Sequence, residues 1–389
     1  MNRFTTNFPS RSQVLTGLVV IVLTVFAGCD PPPLDDTLQV SAAMGGDTTG
    51  YARADKILEL QFPEDYGPHP DFKTEWWYYT GNVWTDSGDR FGYEFTIFRS
   101  ALKPTSPQDT TLSDWATNQL YMAHFGLTDK ARGDFYHFER FSRGAAGLAG
   151  AVANPYRVWL DDWEIHATGS ELYPTRLYAH DGPTGIDITL QRGKPIVLQG
   201  DQGLDQKGAG SGNASYYYSF TRLPTTGSVT VGDEVFSVEG LSWKDHEWST
   251  SALGPKETGW DWFALQLSDG RDVMFYQLRE NSGNASEFSN GMLVEDDGTY
   301  RRIETDDVVI EVLDYWTSPH SNVTYPSRWT LTYPTENLTL TVTPIVNDQE
   351  MNVSVRYWEG AVDILGSSNG QDVTGQGYVE LAGYVRDNP

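Results

Sequence analysis

The chain has 389 residues and is strongly acidic, with 53 Asp and Glu against 27 Lys and Arg and a formal charge of −26 at pH 7. A surface of that sign repels a phosphate backbone, which excludes nucleic acid as a partner. Its 13% aromatic content, with 13 Trp and 21 Tyr, excludes a disordered acidic chain, and the length suits two domains.

The N-terminus reads as an address. Arg3 and Arg11 precede an apolar run from Leu15 to Phe26, too short for a comfortable membrane span. The run ends in Phe26-Ala27-Gly28-Cys29. These small residues before a cysteine resemble the lipobox of bacterial lipoproteins, with Phe26 where an aliphatic residue is usual. The expectation is a signal peptide over residues 1–28, lipidation of Cys29, and a flexible tether over residues 29–58 with Pro31 to Pro33 at its start. Cys29 is the only cysteine, so disulfides within the chain are excluded, as are a thiolate nucleophile and a Cys-based metal site once it is acylated. Asp30 beside the lipidated cysteine resembles the inner-membrane retention signal of enterobacteria. The expected location is therefore the cell envelope, on the periplasmic face of the inner membrane.

Beyond the tether no amphipathic helix is evident, and strand signals follow one another. Phe91, Tyr93, Phe95 and Ile97 alternate with Gly92, Glu94, Thr96 and Phe98; Ile186, Ile188 and Leu190 alternate with Asp187 and Thr189; Leu338, Leu340 and Val342 alternate with threonines. Period-two patterns suit antiparallel strands with one buried face. Turns are predicted at Asp86-Ser87-Gly88, Gly232-Asp233, Asp269-Gly270 and Asp297-Gly298. Many strands joined by tight turns predict an all-β sandwich or barrel. A weak repeat adds to this. Glu75-Trp76-Trp77-Tyr78-Tyr79 leads through a turn to a strand closed by Arg99, and Gly259-Trp260-Asp261-Trp262-Phe263 leads through a turn to one closed by Arg279. Two related β units are expected, with the boundary near Asp245 to Ser251.

Familiar catalytic signatures are absent. His246-Glu247 does not continue as H-E-x-x-H, no G-x-S-x-G elbow occurs, and no G-K-[ST] follows the glycines at 208–212. The seven His show no ligand spacing, so no metal site and no cofactor are expected. The run Trp243-Lys244-Asp245-His246-Glu247-Trp248 stands out, with three titratable residues between indoles. In a strand Asp245 and Glu247 share one face and His246 takes the other. Trp260-Asp261-Trp262 is a second acid held between indoles. Such acids lose solvation, so their pKa rises, and an acid kept protonated at neutral pH can give its proton to an alkene, with aromatic faces stabilising the cation. The same residues could instead form hydrogen-bonded core groups, with Arg99 and Arg279 neutralising buried carboxylates. Glu75 beside Trp76 and Trp77 poses that choice again, and Trp77, Tyr79, Tyr93 and Tyr276 could line a cavity or fill a core.

These residues also carry a family likeness. His69-Pro70, the run Glu75 to Asn82, Gly92-Tyr93 to Phe98-Arg99, Ala123-His124-Phe125 and Ala214-Ser215-Tyr216-Tyr217-Tyr218-Ser219 resemble the AttH and carotenoid 1,2-hydratase family. So do Trp243 to Trp248, Gly259 to Phe263, Tyr357-Trp358-Glu359-Gly360 and Gly377 to Leu381. The likeness spans roughly His69 to Tyr384. It implies an all-β fold of two lipocalin-like antiparallel β-barrel domains packed together, here residues 59–247 and 248–389. It implies a hydrophobic substrate, an isoprenoid or another lipid, in an aromatic cavity at or between the barrels. For a hydratase, Asp261 or Asp245 would protonate the alkene. Trp243, Trp260 and Trp262 would shelter the carbocation, with Trp248 in the same aromatic surround, and His246 or Glu247 would position water. The other function left open is a non-catalytic lipid-binding accessory of an ABC transporter, held to the membrane by the lipid anchor.

Overall fold

The computed structural model describes residues 47–105, 115–251, 253–254 and 256–385. The signal segment, Cys29 and the tether as far as residue 46 lie outside the described residues. Residues 52–56, within the stretch expected to be tether, lie on the first barrel. Ala54 is fully buried, the Thr250 hydroxyl donates to the Ala52 carbonyl, and the Tyr216 hydroxyl donates to the Lys56 carbonyl at 2.7 Å.

The described residues form two antiparallel sheets with three single-turn 3₁₀ segments and no α-helix. The predicted turns fall where strands reverse. Thr74–Trp84 returns as Arg90–Ala101, Ala214–Val231 as Glu234–Ser249, Glu257–Leu267 as Asp272–Glu280, and Asn290–Val294 as Tyr300–Glu304. Gly88, Gly232, Gly270 and Gly298 supply the positive φ that these reversals need. The strands are longer than their apolar cores suggest. Ala214–Val231 runs 18 residues and Glu234–Ser249 runs 16, and both line the first barrel's core from one end to the other while Tyr217 and Trp243, on their opposite face, join the middle layer.

The first sheet has 13 strands and curls into a nearly closed barrel, with Asp134–Arg143 at one end lying against Arg157–Leu160 near the other. The second has 10 strands and forms a half-barrel. Both follow one plan. In each, an opening hairpin continues as a meander on one side, and its first strand pairs on the other side with the last strand of the same sheet. Thr74–Trp84 pairs with Glu234–Ser249, and Glu257–Leu267 pairs with Gln371–Ala382. The sequence repeat is therefore a repeat of topology. The changeover between sheets falls between Ser249 and Glu257.

Each barrel has its own apolar interior. Trp77, Tyr79, Tyr93, Phe95 and Trp248 belong to the first, and Phe263, Leu265, Trp329 and Trp358 to the second. The outer faces of the central strands pack against each other as a third layer, with Tyr78, Tyr217, Trp243, Trp262 and Tyr276 in it. The approach is tight. A Cβ on Gly92 would lie 2.4 Å from the Cβ of Ala361 in the other barrel. Polar pins hold the layer in register: Asn82 donates to the Gly377 carbonyl, and the Arg222 guanidinium and Thr221 hydroxyl of one barrel reach Asp272 of the other.

Candidate active site between the barrels

Strand alternation decides which side chains reach the middle layer. On Glu234–Ser249, Trp243, Asp245 and Glu247 point outward, whereas His246 and Trp248 point into the first barrel. On Glu257–Leu267, Trp260 and Trp262 point into the layer, whereas Phe263 and Leu265 face the second barrel's core. The layer encloses a cavity of about 160 Å³, lined among others by Trp76, Tyr78, Tyr217, Trp260, Trp262 and Tyr276.

Asp245 sits in this wall, 3% exposed. Its carboxyl accepts from the Ser219 hydroxyl (2.6 Å), the Trp243 indole (2.7 Å) and the Tyr217 hydroxyl (2.6 Å). The Trp262 indole in turn donates to the Tyr217 oxygen. Among the described residues no cation pairs with Asp245. Burial is the largest influence on it and, against those three donors, pushes its pKa up to about 7. Around it stand other acids. Glu380 accepts from the Trp260 indole, and burial lifts it to about 8. Glu359 accepts from the Tyr78 hydroxyl, and burial with the negative Glu380 and Glu94 nearby holds it well above the usual carboxylate range. Glu247 differs because the Lys207 ammonium lies 3.0 Å from it and 3.0 Å from Asp205. Burial opposes the charge on Lys207, but the two carboxylates overcome it and raise its pKa. Lys207 also lies 4.3 Å from the Tyr276 ring centre, and the Tyr276 hydroxyl donates to Asp205.

The other face of the same strands holds a different cluster. Glu75, fully buried, accepts from Arg99 Nε at 2.7 Å, pairs with His69 Nδ1 at 2.7 Å and with His246 Nε2 at 2.9 Å. Burial opposes its charge, yet Arg99 and His69 hold it well below the usual range. His246 is further fixed by the Tyr218 hydroxyl and stacks on Trp77, and burial drops it to about 4. His69 stacks on Trp248 at 3.7 Å. His69, Glu75 and His246 each present one possible ligand atom within 4.8 Å of the others. These atoms already bond one another, and Arg99 occupies the second Glu75 oxygen, so the group reads as a hydrogen-bonded brace. Asp261 is braced in the same way. It pairs with Arg279 and accepts from the Tyr384 hydroxyl at 3.0 Å. Burial raises its pKa, and the pull of Arg279 and Tyr384 only partly offsets this, so unlike Glu75 it stays above the usual carboxylate range.

The sequence-predicted residues are thus divided. Asp245, Glu247, Trp243, Trp260, Trp262 and Tyr276 gather at the cavity. His246, Trp77, Tyr79, Tyr93 and Trp248 lie on the first-barrel side, and Asp261 is held by Arg279 and Tyr384 on the far face of its strand. His246 therefore does not reach water in the cavity, and Asp261 and Asp245 do not share a site. Glu75 is placed beside the cavity, but its carboxylate is spent on Arg99 and the two histidines. The acids missed were Glu359 and Glu380, directly opposite each other on Tyr357–Ser368 and Gln371–Ala382. Their signal was present as Trp358-Glu359-Gly360 and Val379-Glu380-Leu381, acids in otherwise apolar strands. Lys207 gave none, being a loop lysine among glycines.

Comparison with known proteins fits this arrangement. The sequence model of a family described as AttH-like matches residues 53–384. The crystal structure of a putative AttH from Nitrosomonas europaea is 32% identical, covers 86% of this chain and all of its own, and superposes with a TM-score of 0.75. Kievitone hydratase from Nectria haematococca is 16% identical, covers 88% of this chain and 98% of its own, and has a TM-score of 0.64, a likeness of fold. No curated protein matches the sequence.

Proposed function

The chain belongs to the AttH-like family, and from that premise we propose that it transforms a hydrophobic small molecule in the cavity between its barrels, by cofactor-independent addition of water to an alkene. The observation that carries this reading is Asp245, a buried acid that no cation among the described residues pairs with, among aromatic faces and with its pKa pushed up to about 7. Such a group is protonated at or below neutral pH and can give its proton to a carbon base. A structural relative of the same fold bears the name of a hydratase, which supports the reaction class.

In the step proposed, the alkene takes the Asp245 proton on one carbon and the π pair forms the new C–H bond. The positive charge on the other carbon is met by the faces of Trp262 and Tyr78. Water, positioned by Glu247, adds to that carbon. Its proton goes to the Asp245 carboxylate, which restores the acid. The cavity's size sets the scale of the reacting part. A cavity of about 150 Å³ holds a benzene-sized group. The site therefore takes a terminal isoprene-sized unit rather than a whole long polyene.

The test is incubation with terminal alkenes of the isoprenoid class in H₂¹⁸O. One ¹⁸O per product is expected, and Asp245→Asn should lose it. Unchanged incorporation in that variant overturns the assignment. Stoichiometric co-purified lipid together with full tolerance of the substitution would favour a carrier. We further propose that Cys29 is lipidated and holds the barrels at the periplasmic face of the inner membrane. Labelled palmitate should enter the protein and be lost in Cys29→Ala.

A further inference from the structure

The acids of the cavity lack their counter-charges, and the missing charge has a definite chemistry. Every fixed cation lining the cavity is already committed: Lys207 to Asp205 and Glu247, and Arg99 to Glu75. His124 is held between the Tyr357 hydroxyl and Glu139, and burial lowers its pKa. That leaves Asp245, Glu359 and Glu380 with no cationic partner among the described residues. Glu359 is fully buried and lines the cavity, and its Oε1 has no hydrogen-bond partner among the described residues. By itself Asp245 keeps its proton to neutral pH, and a cation bound beside it would favour the ionised form, which the three donors on its two oxygens already accommodate. Between these acids stand aromatic faces, Trp260 and Trp262 on one strand and Tyr78 opposite.

Buried carboxylates around aromatic faces form a site for an organic cation, because the ring quadrupoles and the acids favour the same charge and the low dielectric strengthens both. We propose that the cavity recognises a free alkylammonium head, of trimethylammonium size, held between Asp245, Glu359 and Glu380 against the Trp260 and Trp262 rings. The volume suits it, since the cavity is about 160 Å³ and a trimethylammonium group is smaller than benzene. This inference rests on the reading that the inter-barrel cavity is the substrate site. It adds that the resident charge preference is for a stable cation as well as for a transient carbocation.

The experiment compares choline with its neutral carbon isostere, 3,3-dimethylbutan-1-ol, by titration calorimetry on the purified full chain. Choline is expected to bind about tenfold or more tightly than the isostere. Glu359→Gln and Glu380→Gln should each weaken choline several-fold and leave the isostere unchanged. Phosphocholine, whose phosphate meets the same acids, should bind more weakly than choline, which separates a free ammonium from a lipid headgroup. Equal affinity for choline and isostere, no saturable choline binding, or choline binding indifferent to both substitutions overturns the proposal. Choline preference without water addition to any alkene supports this inference and sinks the hydratase reading, whereas turnover without choline preference does the reverse.

Discussion

The inner faces of the barrel strands and the cavity between the barrels treat buried acids in opposite ways. Facing inward, each opening hairpin carries an acid and closes on an arginine that neutralises it: Glu75 with Arg99 in the first barrel, Asp261 with Arg279 in the second. Between the barrels, Asp245 and Glu359 are as deeply buried and Glu380 is half-buried, and all three have indole or phenol donors but no cationic partner among the described residues. Removing one partner of a buried ion pair strands a charge, so the braced acids answer to stability. An unbraced acid costs stability when ionised and keeps its proton to neutral pH, which is the property that proton transfer needs.

Substitution at the acids can break this contrast. Asp245→Asn should lower turnover by about 10²–10⁴-fold, the range for loss of a general acid, with the circular dichroism spectrum unchanged. Arg99→Met should have the largest effect on stability, costing about 3–5 kcal/mol by denaturant midpoint, because Glu75 is left charged and fully buried. Asp261→Asn should destabilise in the same direction but less, since Arg279 is 17% exposed and water can meet it. Turnover per folded molecule should stay within about twofold. If Asp261→Asn instead removed turnover and Asp245→Asn spared it, the comparison would be inverted.

Two smaller effects concern pH. The folded pKa of Asp245 is raised to about 7 from 3.8, so its stabilising contribution is full below pH 3.8 and lost as pH rises through 7. Wild type should therefore lose stability relative to Asp245→Asn between pH 5 and pH 8, by roughly 1–3 kcal/mol. Turnover should fall over the same limb. Lys244 runs the other way. It faces the first barrel's interior, boxed by the rings of Tyr66, Tyr79, Tyr156, Tyr218 and Phe220 at 4.7–5.7 Å, and its ammonium has no hydrogen-bond partner among the described residues. Burial lowers it to about 7 from 10.5, so its contribution is full above 10.5 and lost as pH falls through 7. Lys244→Met should gain on wild type by a fraction of that amount when thermal midpoints are compared at pH 6 and pH 8.

Much of the fold was legible because its signals are local. Alternation at Phe91 to Ile97 and the Gly turns at 88, 232, 270 and 298 are decided within a few residues. The repeat was visible as well, and Arg99 and Arg279 neutralise acids as their positions suggested. The site was half legible. Alternation within Trp243 to Trp248 correctly put Asp245 and Glu247 on one face and His246 on the other. What alternation cannot give is which face meets which barrel, and that separates Asp261 from Asp245 although both sit between indoles. Glu359 and Glu380 reach the cavity from strands more than a hundred residues away, through pairings that no local pattern encodes.

The central claim is that Asp245 keeps its proton to neutral pH because it is buried and no cation among the described residues pairs with it. The direct measurement is a ¹³C NMR titration of the aspartate side-chain carboxyls in the folded protein, with the Asp245 signal assigned from the Asp245→Asn variant. The account predicts a midpoint near pH 7 for that signal. A midpoint at or below the ordinary aspartate value of about 3.9 would contradict it.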